Sequence, residues 1–248
     1  MSTASSAEGD RPAPDTAPGT PAPDTARVRL THFELLTITR GPGGSDLEPG
    51  AWLTMEALGY DDADDDPAVA DRLARAGVGI LYTRGLVAVG GDGGLVVTGL
   101  AARLGAVLRS ARFWVRVAVR GGSAPRSALF TQTEDAFVLL DADLADTWRV
   151  YLSVAPELPL AGMVGRYGAT LADMPEYEEV SVDVLDDDGG SHTRFVRDDR
   201  GGYREAPPDG PTGGAADGAS ADQEKCLRAG DIEARVGAFV ETALGAGR

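Results

Sequence analysis

Apolar and polar positions alternate in some stretches of this chain and recur at helical spacing in others, and each change of period predicts an element. The clearest alternation starts at Phe113, where Phe113, Val115, Val117 and Val119 interleave with Trp114, Arg116 and Ala118 until Gly121-Gly122. Side chains on a strand point to opposite faces in turn, so this run predicts a half-buried strand. Ser127 to Thr131 and Ala136 to Asp141 predict two more strands, with Glu134-Asp135 in the turn between them, which makes a three-stranded meander. Further on, Glu179 to Leu185 alternates and Asp186-Asp187-Asp188-Gly189-Gly190 turns. His192 to Val196 is then extended, Arg197 to Gly202 turns and Tyr203 to Ala206 is extended.

Helical spacing appears elsewhere. Asp66-Pro67 has the form of an N-cap followed by proline at the first helical position, and Val69, Leu73, Ala76, Ile80 and Leu81 share one face before Gly85. Leu86 to Val89, the turn Gly90 to Gly94, and Leu95 to Val97 predict a small hairpin. Leu100, Leu104, Val107 and Leu108 form the stripe of a following helix. Leu144, Trp148, Tyr151 and Leu152 predict another helix that stops before Pro156. The last helix is expected to be capped by Asp231 and to carry Ile232, Val236, Phe239 and Val240 on one face. Val28 to Arg40 is read as a strand, with a short helix from Thr31 as its rival, whereas Ala51 to Leu58 is too short for periodicity to separate the two. A meander followed by a helix thus occurs twice, about 66 residues apart, which predicts an α+β fold built as a pseudo-twofold pair of α/β subdomains.

Composition bounds the rest. Residues 1 to about 26 repeat Pro-Ala-Pro-Asp-Thr-Ala and lack large apolar residues beyond Met1, so they predict a disordered tail. Residues 207–222 predict a flexible linker, leaving 27–248 as one domain with halves at about 27–155 and 156–248. With 23 basic and 39 acidic residues among 248, the net charge of −16 disfavours nucleic acid and anionic membranes as partners. A single cysteine, Cys226, and the lack of any apolar run near 20 residues predict a cytoplasmic chain with no membrane insertion.

Signals for chemistry are weak. His32 and His192 are the only histidines, and neither lies at metal-ligand spacing from a soft ligand, so no metal or cofactor is expected. Asp62, Asp64 and Asp66 begin like a calcium loop, but Pro67 stands where it needs glycine and Leu73 where it needs glutamate. Gly90 to Gly94 lacks the lysine and hydroxyl of a phosphate cradle, and no nucleophile elbow is present. Two alternatives to a binding protein stay open: a carboxylate-dependent hydrolase or ligand-binding enzyme, and a winged-helix regulator built on Asp66 to Leu108.

The stretch from Ala74 to Val154 resembles the EspG family of type VII secretion chaperones. The residues that carry the resemblance are Arg84-Gly85-Leu86, Asp92-Gly93, the helix Leu100 to Leu108, Arg112-Phe113-Trp114-Val115-Arg116-Val117 and Ala136-Phe137-Val138-Leu139-Leu140. Later, Arg200-Gly201-Gly202-Tyr203 is similar to the family's late strand, with Tyr203 in place of its tryptophan. The resemblance implies a central twisted antiparallel sheet with flanking helices, no catalysis, and a secreted PE-PPE-like helical client held in the cytosol. It also implies two contact regions: the loop Arg120, Gly121, Gly122, Ser123, Ala124, Pro125 and Arg126, and the face bearing Ile232, Val236, Phe239 and Val240.

Overall fold

The computed structural model describes residues 25–41, 48–59, 67–122, 126–143, 146–154, 158–187, 189–206 and 226–246. In chain order the elements are β1 (Thr25–Thr31), α1 (His32–Arg40), α2 (Pro49–Ala57), α3 (Pro67–Thr83), β2 (Val87–Val89), β3 (Leu95–Val97), α4 (Gly99–Ser110), β4 (Phe113–Arg120), β5 (Arg126–Gln132), β6 (Phe137–Ala142), β7 (Thr147–Ser153), α5 (Leu160–Ala172), β8 (Glu179–Asp186), β9 (Gly189–Arg197), β10 (Tyr203–Ala206) and α6 (Ala229–Ala246). Eight strands form one antiparallel sheet in the order β1-β7-β6-β5-β4-β8-β9-β10, while β2 and β3 pair separately. The fold is α+β, as the alternation of periods predicts. The run β4 to β7 leads into α5 and the run β8 to β10 leads toward α6, and β8 pairs with β4 along its whole length, which fuses the two halves into one sheet.

Each face of the sheet has its own core. On one side Leu35, Ile38, Leu53, Leu81, Leu104 and Leu108 from α1 to α4 pack on Trp114, Leu129, Val138, Leu140, Val150 and Leu152. On the other, Val164, Leu171, Ile232, Val236 and Val240 from α5 and α6 pack on Val115, Val117, Phe130, Val180, Val182 and Phe195. β4 keeps the predicted alternation from Val115 on, with Val115, Val117 and Val119 buried and Arg116, Ala118 and Arg120 part-buried or exposed, while near its start Trp114 is enclosed on the opposite face as well. The Trp114 indole is satisfied inside the core: its Nε1 donates to Thr54 Oγ1 at 3.0 Å, and that hydroxyl donates to the Leu108 carbonyl at 2.6 Å.

Several expectations are corrected. Val28 to Arg40 is strand only as far as Thr31, where the chain turns into α1, so the rival reading of a short helix from Thr31 is the one that holds. There Thr31 Oγ1 accepts from the Glu34 amide at 3.2 Å and Glu34 Oε2 accepts from the Thr31 amide at 2.8 Å, a reciprocal capping box. Thr25 and Ala26, assigned to the tail, belong to β1 and pair with Ser153 and Leu152. The undecided stretch at 51–58 lies in α2.

The helix expected around Trp148 is the strand β7. Val150 and Leu152 alternate inward, and β7 gains backbone partners on both sides, β6 and β1, which outweighs a stripe that also fits helical spacing. The helix that does follow the first meander, α5, comes later and crosses α6 closely: a Cβ on Gly165 would sit 2.5 Å from the Glu233 carbonyl oxygen. Residues 1–24 of the predicted tail, the Asp61 to Asp66 stretch and the 207–222 linker lie outside the described residues.

Candidate functional site

Of the two contact regions implied by the family resemblance, the helical one is core. Ile232, Val236 and Val240 have no exposed surface, and Phe239 is part-buried against the same cluster. The period that made this stripe look like a binding face is the one that packs α6 on the sheet, so these side chains are not presented to a partner. Asp231 is not the cap residue either. It stands in the first turn of α6, and its Oδ2 accepts from the Arg228 amide at 2.9 Å.

The described ends of the loop after β4 are held by the surrounding structure. Arg120 is exposed, and its carbonyl accepts from the Glu178 amide at 2.9 Å. Gly121 and Gly122 take positive φ (99° and 73°) and lie against Glu176 and Glu178, so the backbone leaves β4 in a conformation that side chains disfavour. Ser123, Ala124 and Pro125 lie outside the described residues. Across the gap Arg126 Nη2 reaches Asp141 Oδ2 at 3.5 Å.

Asp141 is the centre of a polar cluster that sequence reading missed. It is only 5% exposed, accepts from Tyr167 Oη of α5 at 3.0 Å, and pairs with Arg149 Nη2 at 3.0 Å as well as with Arg126. Arg29 joins through Asp143 at 2.8 Å, and the Arg27 guanidinium lies over the Tyr151 ring, 5.3 Å from its centre. Burial, and then the neighbouring Asp141 carboxylate, push the Tyr167 phenol well above its usual pKa, so it remains a neutral hydrogen-bond donor. The residues come from β1, β5, β6, β7 and α5, and only the strand order brings them together.

A second feature is the β2–β3 hairpin, whose existence its turn predicts but whose exposed apolar side chains the sequence does not reveal. Val89, Leu95 and Val96 are exposed large hydrophobic residues, with Val89 at 59% and Val96 at 49%, and Tyr82 at the end of α3 is 56% exposed. The tip is rigid, since the Gly90 amide donates to the Gly94 carbonyl at 2.7 Å and the Gly94 amide donates to Asp92 Oδ1 at 2.9 Å.

Other titratable pairs are local. His192 Nδ1 lies 2.5 Å from Asp183 Oδ1, directly across the β8–β9 ladder, while the hydroxyl of nearby Ser181 donates to the Ala118 carbonyl. The Cys226 thiol donates to Asp198 Oδ2 at 3.2 Å, and this hydrogen bond raises its pKa, which makes it a poorer nucleophile. Among the described residues no group of three or more potential metal ligands comes together, and no helix is long and apolar enough to cross a membrane. The sequence of α4 contains no carboxylate, so its outward face does not carry the acidic charge that would remove a winged-helix reading.

No protein-family model matches the chain, and no curated protein matches it in sequence. The resemblance to the EspG family is thus carried by the residue pattern alone.

Proposed function

We propose that this chain is a cytoplasmic, non-enzymatic binding protein, a chaperone or adaptor for helical PE-PPE-like clients of type VII secretion. The observation that carries the reading is the hairpin that projects Val89 and Leu95 from one face and Val96 from the other, shortly after the exposed Tyr82 at the end of α3. Apolar surface is costly in water, and covering half-exposed valines contributes on the order of 1 kcal/mol each to an association. A client whose own apolar surface needs shielding supplies the matching face. The loop from Arg120 to Arg126, anchored by Glu178 and Asp141, supplies a second, polar contact.

The test is co-expression of the full chain with a PE–PPE-like heterodimer from the same genome, followed by size-exclusion chromatography. The heterodimer is expected to co-elute with the wild-type chain and to lose that association with the Val89→Glu/Val96→Glu variant. Both substitutions fall at exposed positions, so the variant is expected to melt within a few degrees of wild type. A heterodimer that ignores the wild-type chain, or binds the double variant equally well, overturns the reading.

A further inference from the structure

The helix layers cover the sheet unequally. On the side of α5 and α6, α5 lies over β4, β5 and β8 and reaches β6 through Tyr167, and α6 lies over β8. Among the described residues no helix packs extensively over β7 or β1 on this side. The surface left there is made by Arg27 and Arg29 of β1, Arg149 and Tyr151 of β7, and Leu139 of β6. Arg29 stands opposite Arg149 in register, Arg27 opposite Tyr151, and Tyr151 opposite Leu139.

We propose that this shelf docks a carboxylate-bearing amphipathic helix of a partner protein, lying beside α5 as an added member of its layer. The first ground is charge. Among the described residues, the ion pairs of Arg29, Arg126 and Arg149 on this face are with Asp141 and Asp143, and Arg27 lies over the Tyr151 ring, four cations to two carboxylates on a chain whose net charge is −16. Arg29 is 66% exposed on its side chain, and like charges placed opposite in a ladder are unfavourable unless more anionic charge arrives. The net charge of −16 disfavours an extended polyanion such as nucleic acid, whose phosphates run on over the acidic surface, whereas the few carboxylates of one helix flank need meet only these arginines.

The second ground is shape. Strands lie about 4.8 Å apart, so β7 and β1, with the half of β6 beyond the reach of Tyr167, make a shelf about 12 Å wide, room for one helix of about 10–12 Å diameter. The seven residues of β1 span about 23 Å, the length of about four helical turns. Arg27 and Arg29 project from the same face about 6.7 Å apart, close to the rise of about 6 Å between residues i and i+4 of a helix. A partner helix with Glu or Asp at i and i+4 along one flank, and apolar residues toward Leu139 and Tyr151, satisfies both. An added β-strand fits less well, because Arg84 Nη2 already donates to the Arg29 carbonyl oxygen at 2.9 Å and the Thr31 amide is taken by Glu34.

This site is separate from the β2–β3 hairpin and does not depend on the client being a secretion substrate. The probe is a labelled synthetic amphipathic helix of about 18 residues with glutamates at i, i+4 spacing. Its binding to the full chain is followed by fluorescence anisotropy. The expected result is binding that weakens as salt rises from about 50 to about 300 mM, and that falls at least about tenfold in Arg27→Glu/Arg29→Glu. A lysine-for-glutamate version of the peptide is expected not to bind. The Val89→Glu/Val96→Glu chain is expected to bind the probe like wild type, so the two proposals fail independently. Arg27→Ala gives up the contact with the Tyr151 ring but no ion pair among the described residues, so it is expected to melt close to wild type and to weaken binding a few-fold.

Equal binding by wild type and the Arg27 variants overturns the proposal. So does equal binding of the lysine peptide, no binding of the glutamate peptide, or displacement of the probe by a short DNA duplex.

Discussion

Replacing Gly165 by alanine sets two effects of known sign against each other. Within a helix, alanine is better than glycine by about 1 kcal/mol, so on propensity alone Gly165→Ala stabilises α5. At this position, however, the new methyl would lie 2.5 Å from the Glu233 carbonyl oxygen and 3.3 Å from its carbon, both fixed main-chain atoms of α6. Relief requires α5 and α6 to part by roughly 0.8 Å, and such a gap already forfeits a quarter to a half of the dispersion energy of the facing atoms. The contacts that loosen are those of Val164, Ile232, Val236 and Val240, all fully buried. Overpacking of this kind costs about 1–3 kcal/mol, and the upper end applies because neither partner is a side chain that can rotate away. After the propensity gain, a net loss of about 2 kcal/mol remains, a fall in melting temperature of about 4–8 °C for a chain of this size.

Gly79→Ala is the internal control. Gly79 is exposed in α3, and a Cβ there meets nothing within 4 Å. It keeps the propensity gain and is expected to raise the melting temperature by about 2–4 °C. Thermal melts followed by circular dichroism, with urea titrations beside them, measure both. If Gly165→Ala melts at or above wild type, the α5–α6 crossing is not as close as described and the reasoning fails.

Thr54→Val removes the hydroxyl that links Trp114 Nε1 to the Leu108 carbonyl and leaves a buried indole donor unmet, at a cost of about 1–3 kcal/mol. A lower urea midpoint with altered tryptophan emission is expected, and an unchanged midpoint would contradict the relay. Asp141→Asn uncouples Arg126, Arg149 and Tyr167 from their shared carboxylate. Since both arginines are about a third exposed, the loss is expected near 2 kcal/mol rather than the 3–5 of a fully buried pair. Equal melting of Asp141→Asn and wild type in low salt would refute it.

His32 provides a pH test. Burial holds its pKa below the ordinary value of about 6.5, against the opposing pull of Asp146. In the window between the two values the unfolded chain binds more protons than the folded one. Stability is therefore present above about pH 6.5 and is lost as pH falls through the window toward the lowered value. His32→Asn, which keeps an acceptor for Trp148 Nε1, is expected to flatten that part of the stability profile. An unchanged slope counts against it.

The meanders, the β2–β3 hairpin, α3, α4 and α6 are legible because each has a clear period and a turn residue at its end. Thr31 to Glu34 shows how a local signal can be overlooked: the capping box was written in Thr-x-x-Glu, but the apolar run across it looked continuous. Trp148 to Leu152 fits both periods, and only the tertiary pairing with β1 and β6 decides for the strand. α5 is hard to foresee because Gly162, Gly165 and Gly168 weaken its propensity, and the reason for at least one of them is the approach of α6, a partner 60 or more residues away. The candidate surfaces were less legible still. Which half of a sheet face stays uncovered depends on β8 joining β4 rather than β7, and nothing in the local sequence of either strand states that choice.

That choice also sets a schedule for synthesis. β4 obtains β5 as a neighbour within a few residues, but its other edge waits for β8, about sixty residues later in the chain. At translation rates of about 5–20 residues per second, a strand rich in valine has an open edge on the ribosome for roughly 3–12 s. Arg116 and Arg120 interrupt that edge with charge while it is unpaired, a recognised guard against pairing with other nascent chains. In the finished protein Arg116 turns to the Ala57 carbonyl at 2.9 Å, so a residue that first protects the growing sheet ends by fastening α2 to it.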